Sequence, residues 1–454
     1  MSLPDSQPGA TNAGSEPPAD NSQRCVRVPI LTRVEGEGGL VVRLDGRTIR
    51  NVELSIYEPP RLFEALLRGR SFTEVADITA RICGICPIAY QMTAVQAIEN
   101  AMQIEIPPAI RELRRLLYCG EWIESHVLHI HLLHAPDFFG CESGIELAQR
   151  FPREVKRGLQ MKKFGNRLLE VLGGRAIHPI NVAVGGFYRA PRREELTGLI
   201  PDFEVCLQAA IETAKWVADL PMPNLTVPYN SVAMTHDDEY PITHGDIVCS
   251  DGMRLNAASY EEHFVEEQVP HSTALHSYRM PGRETYLVGP LARVNLNGER
   301  LSPQARQLAD EIGWKKLPSN PYRAIVARAL EVVHAFEEAL THLRAYTPPA
   351  ESCVPYKVIA GEGAASTEAP RGLLYHRYRL DASGRVEFAK IVPPTSQNQA
   401  QIESDIRKLL PAIIEGDDRS VGLECEKLIR SYDPCISCST HFLKVRIEGR
   451  TRKN

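Results

Sequence analysis

Arg81-Ile82-Cys83-Gly84-Ile85-Cys86-Pro87 is the stretch that organises the rest of the chain. Two thiols with two residues between them, followed at once by a proline, mark a junction from loop to helix. Proline suits a first helical turn, whose N–H groups have no intrahelical partner. Where the chain reverses at such a junction both sulfurs turn toward one point, and the helix N-terminus favours thiolate charge. A second pair, Asp433-Pro434-Cys435-Ile436-Ser437-Cys438, stands close to the other end of the chain, with His441 just beyond it. Two such pairs provide four soft ligands suited to Zn, Fe or Ni. A zinc site with four cysteine ligands is the commonest use of paired motifs of this kind. It normally staples a small local unit, however, and these pairs bracket a large body. A redox dithiol would sit in a thioredoxin-like βαβ unit, which surrounds neither pair. The other cysteines of the eleven (Cys25, Cys119, Cys141, Cys206, Cys249, Cys353 and Cys425) are isolated and read as buried or incidental thiols.

Outward from the first pair the pattern is mainly helical. A helix is expected from Pro87 to Met102, stopped before Pro107-Pro108. Ala109 to His134 repeats apolar residues at helical spacing (Ile110, Leu113, Leu116, Leu117, Ile123, Val127, Ile130). Further helices are expected over Glu154–Leu172, Arg193–Leu220 as one long element, Asn320–Arg344, Ala400–Leu410 and Arg419–Tyr432. Leu62, Phe63, Leu66 and Leu67 start a short helix, and Thr73-Glu74 open another toward Cys83. Strand signals flank the turn Asp45-Gly46 within a strand-like run from Val26 to Ile56, and Leu373 to Val392 reads as a hairpin around Asp381–Gly384. Residues 223–293 alternate short apolar runs with Pro, Asn, Gly and Asp, and read as an inserted α+β segment. The expected architecture is a mainly α, long-helix bundle with small β additions (α+β). It occupies residues 25–441, with a disordered tail over residues 1–24 and an extension over residues 442–454.

Composition narrows the function classes. The 454 residues are 43% hydrophobic and 24% charged with a formal charge of −5, values of a folded globular chain. A pI near 6.3 gives no support to binding of nucleic acid. No apolar run is long enough to cross a membrane. The N-terminal tail lacks the basic and apolar regions of a secretory signal. An odd number of cysteines, too few for a disulfide scaffold, fits a reducing cytoplasm. No Gly-x-Gly-x-x-Gly follows a strand, so nucleotide chemistry is expected elsewhere.

His126, His129, His131 and His134 form a second tempting cluster, with members paired at helical i, i+3 spacing. Catalytic zinc uses such pairs, but no HExxH or other ligand pattern accompanies them. Hydrogen-bonded core histidines are the plainer reading.

Taken in order, several motifs resemble one family. Arg81-x-Cys83-Gly84-x-Cys86-Pro87 and Asp433-Pro434-Cys435-x-x-Cys438-x-x-His441 look like the large, catalytic subunit of the nickel–iron hydrogenases. Leu31-Thr32-Arg33-Val34-Glu35-Gly36, Glu368-Ala369-Pro370-Arg371-Gly372 and Val392-Pro393-Pro394-Thr395-Ser396-Gln397-Asn398 are similar to three more of its signatures. The resemblance runs from about residue 26 to His441 and is nearest the soluble branch coupled to NAD(P) or sulfur reduction.

Dihydrogen is a very weak acid, so its cleavage needs an electrophilic metal and a base held beside it. The resemblance implies that Cys83, Cys86, Cys435 and Cys438 hold Ni, with Cys86 and Cys438 bridging to Fe that carries CO and cyanide. It implies that the Cys435 thiolate takes the first proton and Glu35 passes it outward. Arg371 would stand over the open metal position, with Asp137 and Asp433 as acidic partners for it. Thr395, next to backbone amides, and the Pro370 loop would face the cyanides. Glu64, His441 and the Gln399 carbonyl would hold a second ion, Mg or Fe. The chain departs from the family at Tyr90, where His is common; tyrosine can donate a hydrogen bond but cannot act as an imidazole. The implied partners are an iron–sulfur small subunit, flavin and iron–sulfur NAD(P) diaphorase subunits, and a maturation protease that cuts after His441. Two other readings stay open at this point: a non-catalytic relative that has lost its metal, and a structural or binding protein with a zinc site.

Overall fold

The computed structural model of the protein describes residues 23–314 and 319–440. The expected extension over residues 442–454 and the ligand call on His441 lie outside the described residues, as does the expected tail up to residue 22. Gln23 and Arg24, the last residues of that tail call, instead open a strand, Gln23–Val28.

The strand pairs with Gly38–Asp45, which pairs in turn with Thr48–Ile56 around the turn at Asp45-Gly46, giving a three-stranded antiparallel sheet. The helices form the body. Pro108–Leu128 packs along Pro152–Gly173 and against Ala324–Ala345, and Ala324–Ala345 packs along Ile200–Ala218. The stripe that predicts the first of these, from Ile110 to Val127, is buried throughout. Burying each large aliphatic side chain is worth about 1.5–3 kcal/mol, so such a stripe outweighs the weak helix propensity of its β-branched members.

The helix Pro87–Met102, which follows the first thiol pair, is buried on nearly every face. It lies against a second antiparallel sheet made of Gly361–Ala369, Gly372–Leu380 and Val386–Val392. Gly363 allows this approach, since a Cβ there would come within 2.3 Å of Ala101 N and Ala97 O. The Glu368–Gly372 motif is the tight turn between the first two strands of that sheet.

Three elements differ from expectation. Arg193–Leu220 is broken into Arg193–Thr197 and Ile200–Ala218, because Pro201 supplies no N–H and starts a new helix after Gly198. The helix expected at Ala400 begins earlier, at Pro394, with Pro393 as its N-cap, so Thr395 to Gln399 fall in its first turns. The strand Gly361–Ala369 was not expected, its Gly- and Ala-rich sequence being weak in β propensity. Within residues 223–293 the strands Val232–Thr235, Asp246–Cys249, Phe264–Gln268 and Leu275–Arg279 occur, and a helix, Pro290–Asn297, spans the expected end. No helix among the described residues is long and apolar enough to cross a membrane.

Candidate metal centre

Cys86 is the N-cap of the Pro87–Met102 helix, and the Cys83 sulfur accepts the Ile85 and Cys86 N–H groups at 3.3 Å each. The next free N–H groups of this helix start, on Ile88 and Ala89, are taken by the Glu121 carboxylate at 2.6 and 3.1 Å. The second pair is presented by a turn in which Asp433 takes a left-handed φ of 55°, before Cys435 caps the short helix Ile436–Ser439. Arg61 clasps the two pairs together. Its guanidinium donates to the Ile82 carbonyl at 2.7 Å and to the Ser437 carbonyl, and its N–H donates to the Thr440 carbonyl at 2.8 Å.

The four sulfurs converge from opposite ends of the sequence. All lie within 4.8 Å of one another and all four residues are buried. Cys83 faces Cys435 at 3.4 Å, Cys86 faces Cys438 at 3.8 Å, and Cys435 and Cys438 are 2.8 Å apart. Burial pushes the Cys435 thiol well above its usual range. At Cys83 burial acts the same way, but hydrogen bonds from Cys435, Cys438 and Cys86 and the charge of Arg371 outweigh it and hold that thiol well below its usual range.

Glu35 sits on the second pair. Its Oε2 accepts from the Cys435 thiol at 3.0 Å and from the Ser437 N–H at 3.1 Å, while its carbonyl accepts the Ile436 N–H at 2.9 Å. Gly36 makes this approach possible, with φ at 88° and a Cβ position 2.7 Å from both Ile436 Cβ and Glu58 Oε2. The Ser437 hydroxyl then donates to Glu58 Oε2 at 3.0 Å. Glu58, which lies in no recognisable motif, thus joins Glu35 on the same serine and is partly exposed.

Arg371 is buried and donates to the Asp433 carbonyl at 2.8 Å and to its carboxylate at 3.3 Å. Burial opposes its charge, but Asp433 and the sulfurs of Cys435, Cys86 and Cys83 hold the guanidinium well above its ordinary range, so it stays charged. The turn that presents it is fixed from behind by Arg293. This fully buried guanidinium donates to the Ala369 and Pro370 carbonyls at 2.8 and 3.0 Å, to Glu368 at 3.0 Å and to Glu331 at 2.7 Å. Burial raises Glu368 to about 7, with Arg293 opposing the shift, so Glu368 is the weaker anion of that pair.

The expected pairing of Asp137 with Arg371 is not observed. Asp137 is held instead by Arg33 and by Arg430, the latter at 2.8 Å through two nitrogens, and Asp433 alone among the two expected acids meets Arg371. The Thr395 hydroxyl accepts the Cys435 N–H at 3.0 Å, which ties the helix start to the second thiol pair. Glu64 is buried and accepts the Ile391 N–H at 2.8 Å. Gln399 lies buried inside the Pro394–Ile413 helix. Tyr90 is buried beside the thiols. Burial and the charges of Cys438, Cys86 and Cys435 push its hydroxyl well above the usual phenol range.

The histidine cluster does not converge. His126 Nε2 lies 2.9 Å from Glu331, His129 bonds the Arg430 carbonyl at 2.7 Å, His131 bonds the Val127 carbonyl at 3.1 Å, and His134 packs on the Phe138 ring at 4.8 Å. Three residues of the centre were missed by motif reading: Arg61, Glu58 and Arg293. Arg61 had a signal, since it precedes the Leu-Phe-Glu run containing Glu64.

The donor set fits a soft transition-metal centre. The buried Arg371 Nη1 has no hydrogen-bond partner among the described residues, as expected where a small metal-bound acceptor belongs. Fold and centre together define a large, thiolate-ligated metal subunit. The sequence matches the nickel-dependent hydrogenase family over residues 61–150 and 257–441. The alpha subunit of sulfhydrogenase 1 from Pyrococcus furiosus is 32% identical over 424 residues, covering 92% of this chain and 98% of the relative. The beta subunit of the NAD-reducing hydrogenase HoxS from Cupriavidus necator is 28% identical over 476 residues, covering 93% and 95%. A crystal structure of an NAD+-reducing [NiFe]-hydrogenase in the H2-reduced state shares the fold with a TM-score of 0.83 at 23% identity, covering 93% of this chain and 100% of that one. The chain belongs to the nickel-dependent hydrogenase family, as a large, catalytic subunit of the nickel–iron type.

Proposed function

We propose that this chain activates dihydrogen reversibly at a nickel–iron centre held by Cys83, Cys86, Cys435 and Cys438. The observation that carries the reading is the convergence of the four buried sulfurs, with a carboxylate on one of them. The facing of Cys83 with Cys435 and of Cys86 with Cys438 supports a division into terminal and bridging thiolates. When bound, the centre supplies the electrophile that makes dihydrogen acidic enough to lose a proton.

The chain's own residues then handle that proton and position the ligands. The Cys435 sulfur is the first base, and Glu35 Oε2, 3.0 Å away, accepts from it. Ser437 bonds both carboxylates, its N–H donating to Glu35 and its hydroxyl to the partly exposed Glu58, so a swing of the protonated Glu35 side chain onto the Ser437 hydroxyl would carry the proton on toward Glu58. Arg371, kept charged and oriented by Asp433 and by the Arg293-held turn, offers its free Nη1 to a diatomic ligand of iron. Thr395 and the Pro370 turn complete the wall on that side, where CO and cyanide would bind. Asp137 acts one step further out, orienting Arg430 and the Arg33 of the Glu35 motif. Glu64, His441 and the Gln399 carbonyl would hold the second ion, Mg or Fe.

Electrons leave through partners: an iron–sulfur small subunit and, beyond it, flavin-containing subunits that reduce NAD(P), or sulfur as final acceptor. The similarity to sulfhydrogenase and HoxS subunits supports this assembly, which we place in the cytoplasm. A maturation protease would remove residues 442–454 after nickel insertion. Infrared spectroscopy of the matured, nickel-loaded complex tests the reading. Bands of metal-bound CO and cyanide are expected, together with one nickel per chain. Zinc as the sole metal, with no such bands, would overturn it.

A further inference from the structure

Away from the four thiols, one other group of side chains among the described residues has the composition and closeness of a metal ligand set. His271, His276 and Glu403 bring one nitrogen from each imidazole and one carboxylate oxygen within 4.8 Å of one another. His276 lies on the strand Leu275–Arg279, His271 in the turn before it, and Glu403 on the Pro394–Ile413 helix against which that strand packs. The turn is anchored. Thr273 donates its N–H to the Ile56 carbonyl at 2.8 Å and its hydroxyl to the Ile56 and Glu58 carbonyls at 3.0 and 2.9 Å. Glu403 Oε1 accepts the Leu54 N–H at 2.8 Å and faces His271 Nε2 at 2.8 Å.

These bonds account for His271 and Glu403 but not for His276. That residue is 1% exposed, and its buried Nε2 has no hydrogen-bond partner among the described residues. An imidazole nitrogen left so costs free energy that a bound ion would recover. The charged groups that act on it besides His271, Arg283 and Glu267, are paired with each other at 2.6 Å. Burial lowers His276 to about 4, so the ring is neutral near pH 7 and its lone pair is available, as a metal ligand requires. The side chains of His271 and Glu403 are 21% and 14% exposed, which leaves an entry path from solvent.

The geometry points to an additional metal site on this chain, apart from the thiol centre and from the ion proposed at Glu64, for a divalent transition ion of the zinc type, held by His271, His276 and Glu403 with room for water at a further position. Two nitrogens and one carboxylate oxygen suit a borderline ion rather than Mg or Ca, which take oxygen ligands. Ligand atoms around a tetrahedral zinc lie about 3.3 Å apart, so the set closes by small side-chain rotations. The ion would pin the 271–276 turn to the helix and, through Leu54, to the first sheet. This assignment is independent of the reading of the thiol centre.

The test uses the matured complex with its nickel and iron already accounted for, dialysed against Zn2+. Wild type is expected to retain one further zinc per chain, with a nitrogen and oxygen first shell by X-ray absorption. His276→Gln and His271→Gln should each weaken zinc retention by roughly tenfold or more while nickel content and hydrogen activity stay unchanged. Zinc should raise the unfolding temperature of wild type and not of the variants. If His276→Gln fails to fold, His271→Gln, at a partly exposed turn position, carries the comparison. Equal zinc retention in wild type and variants, or a sulfur first shell, would overturn the assignment.

Discussion

Two regions of this molecule offer four buried side chains that bind metals well, and they behave oppositely. Cys83, Cys86, Cys435 and Cys438 come from opposite ends of the chain and meet. His126, His129, His131 and His134 come from one stretch of helix and part, each to a different neighbour. Nearness in sequence works against the histidines. The Pro108–Leu128 helix runs on into a wider π turn over His129–His134; the His129 and His134 rings touch, with centroids 5.2 Å apart, but His126 and His131 go to other partners. The cysteines sit instead at two helix starts, where the chain turns and side chains converge, and Arg61 bonds main chain beside both pairs. Convergence of several ligand atoms on one point, rather than residue type, separates a metal centre from a polar core.

The sharpest way to break this contrast is to remove one member from each side. Cys438→Ser should abolish nickel retention and reduce hydrogen activity to background, because an oxygen ligand would replace a soft thiolate. His129→Gln should leave nickel per folded chain unchanged. Nickel and activity assays on both variants decide it, and a nickel loss in His129→Gln equal to that in Cys438→Ser would erase the distinction.

Within the thiol centre the proton path and the positioning charges should separate by size. Glu35→Gln keeps an oxygen to accept the Ser437 N–H but cannot carry a proton. Activity should fall by roughly 10³-fold with nickel content unchanged, in the upper range for loss of a general acid–base group. Glu58→Gln, at the partly exposed end of the same path, should cost less, since solvent can replace it. An unchanged turnover in Glu35→Gln would remove that carboxylate from the path. Arg371→Lys keeps a positive charge but loses the fork that meets both the carbonyl and the carboxylate of Asp433. A fall of roughly 10²-fold is expected, with shifted infrared bands of the iron ligands reporting the lost contact. Unshifted bands would place Arg371 away from those ligands.

The contrast also explains what the sequence made legible. The Pro87–Met102 helix was readable to the residue, because proline at its start and a double proline soon after its end are local signals. The break at Gly198 and Pro201 carried the same kind of signal, but a continuous apolar period masked it. The helix expected at Ala400 begins at Pro394, since Pro393 and Pro394 are helix breakers in mid-helix and helix starters at its first turn. Side-chain partners were the hardest to read. Asp137 had three arginines to choose from, Arg33, Arg371 and Arg430, and only the fold decides which of them reach it. Glu58 and Arg293 act through distant contacts that no spacing announces.

The smallest expected effect lies on the histidine side, in stability rather than activity. Burial lowers His131 to about 4, below its ordinary 6.5, and its ring is stacked on Trp216 with centroids 5.7 Å apart. A base whose folded value is depressed binds fewer protons folded than unfolded, so the stability it contributes is complete above about 6.5 and is lost as pH falls toward 4. Between pH 7.5 and 5.5 this single group should cost wild type about 1 kcal/mol of unfolding free energy, within reach of urea-midpoint measurements. His131→Gln, which has no charge to gain, should remove that share of the pH dependence while leaving nickel and activity as they were. If His131 instead held a metal, a chelator would destabilise wild type at pH 7.5 and the variant would not respond. The structure predicts that chelation leaves both alike, because the His131 bond goes to the Val127 carbonyl one turn earlier on its own helix.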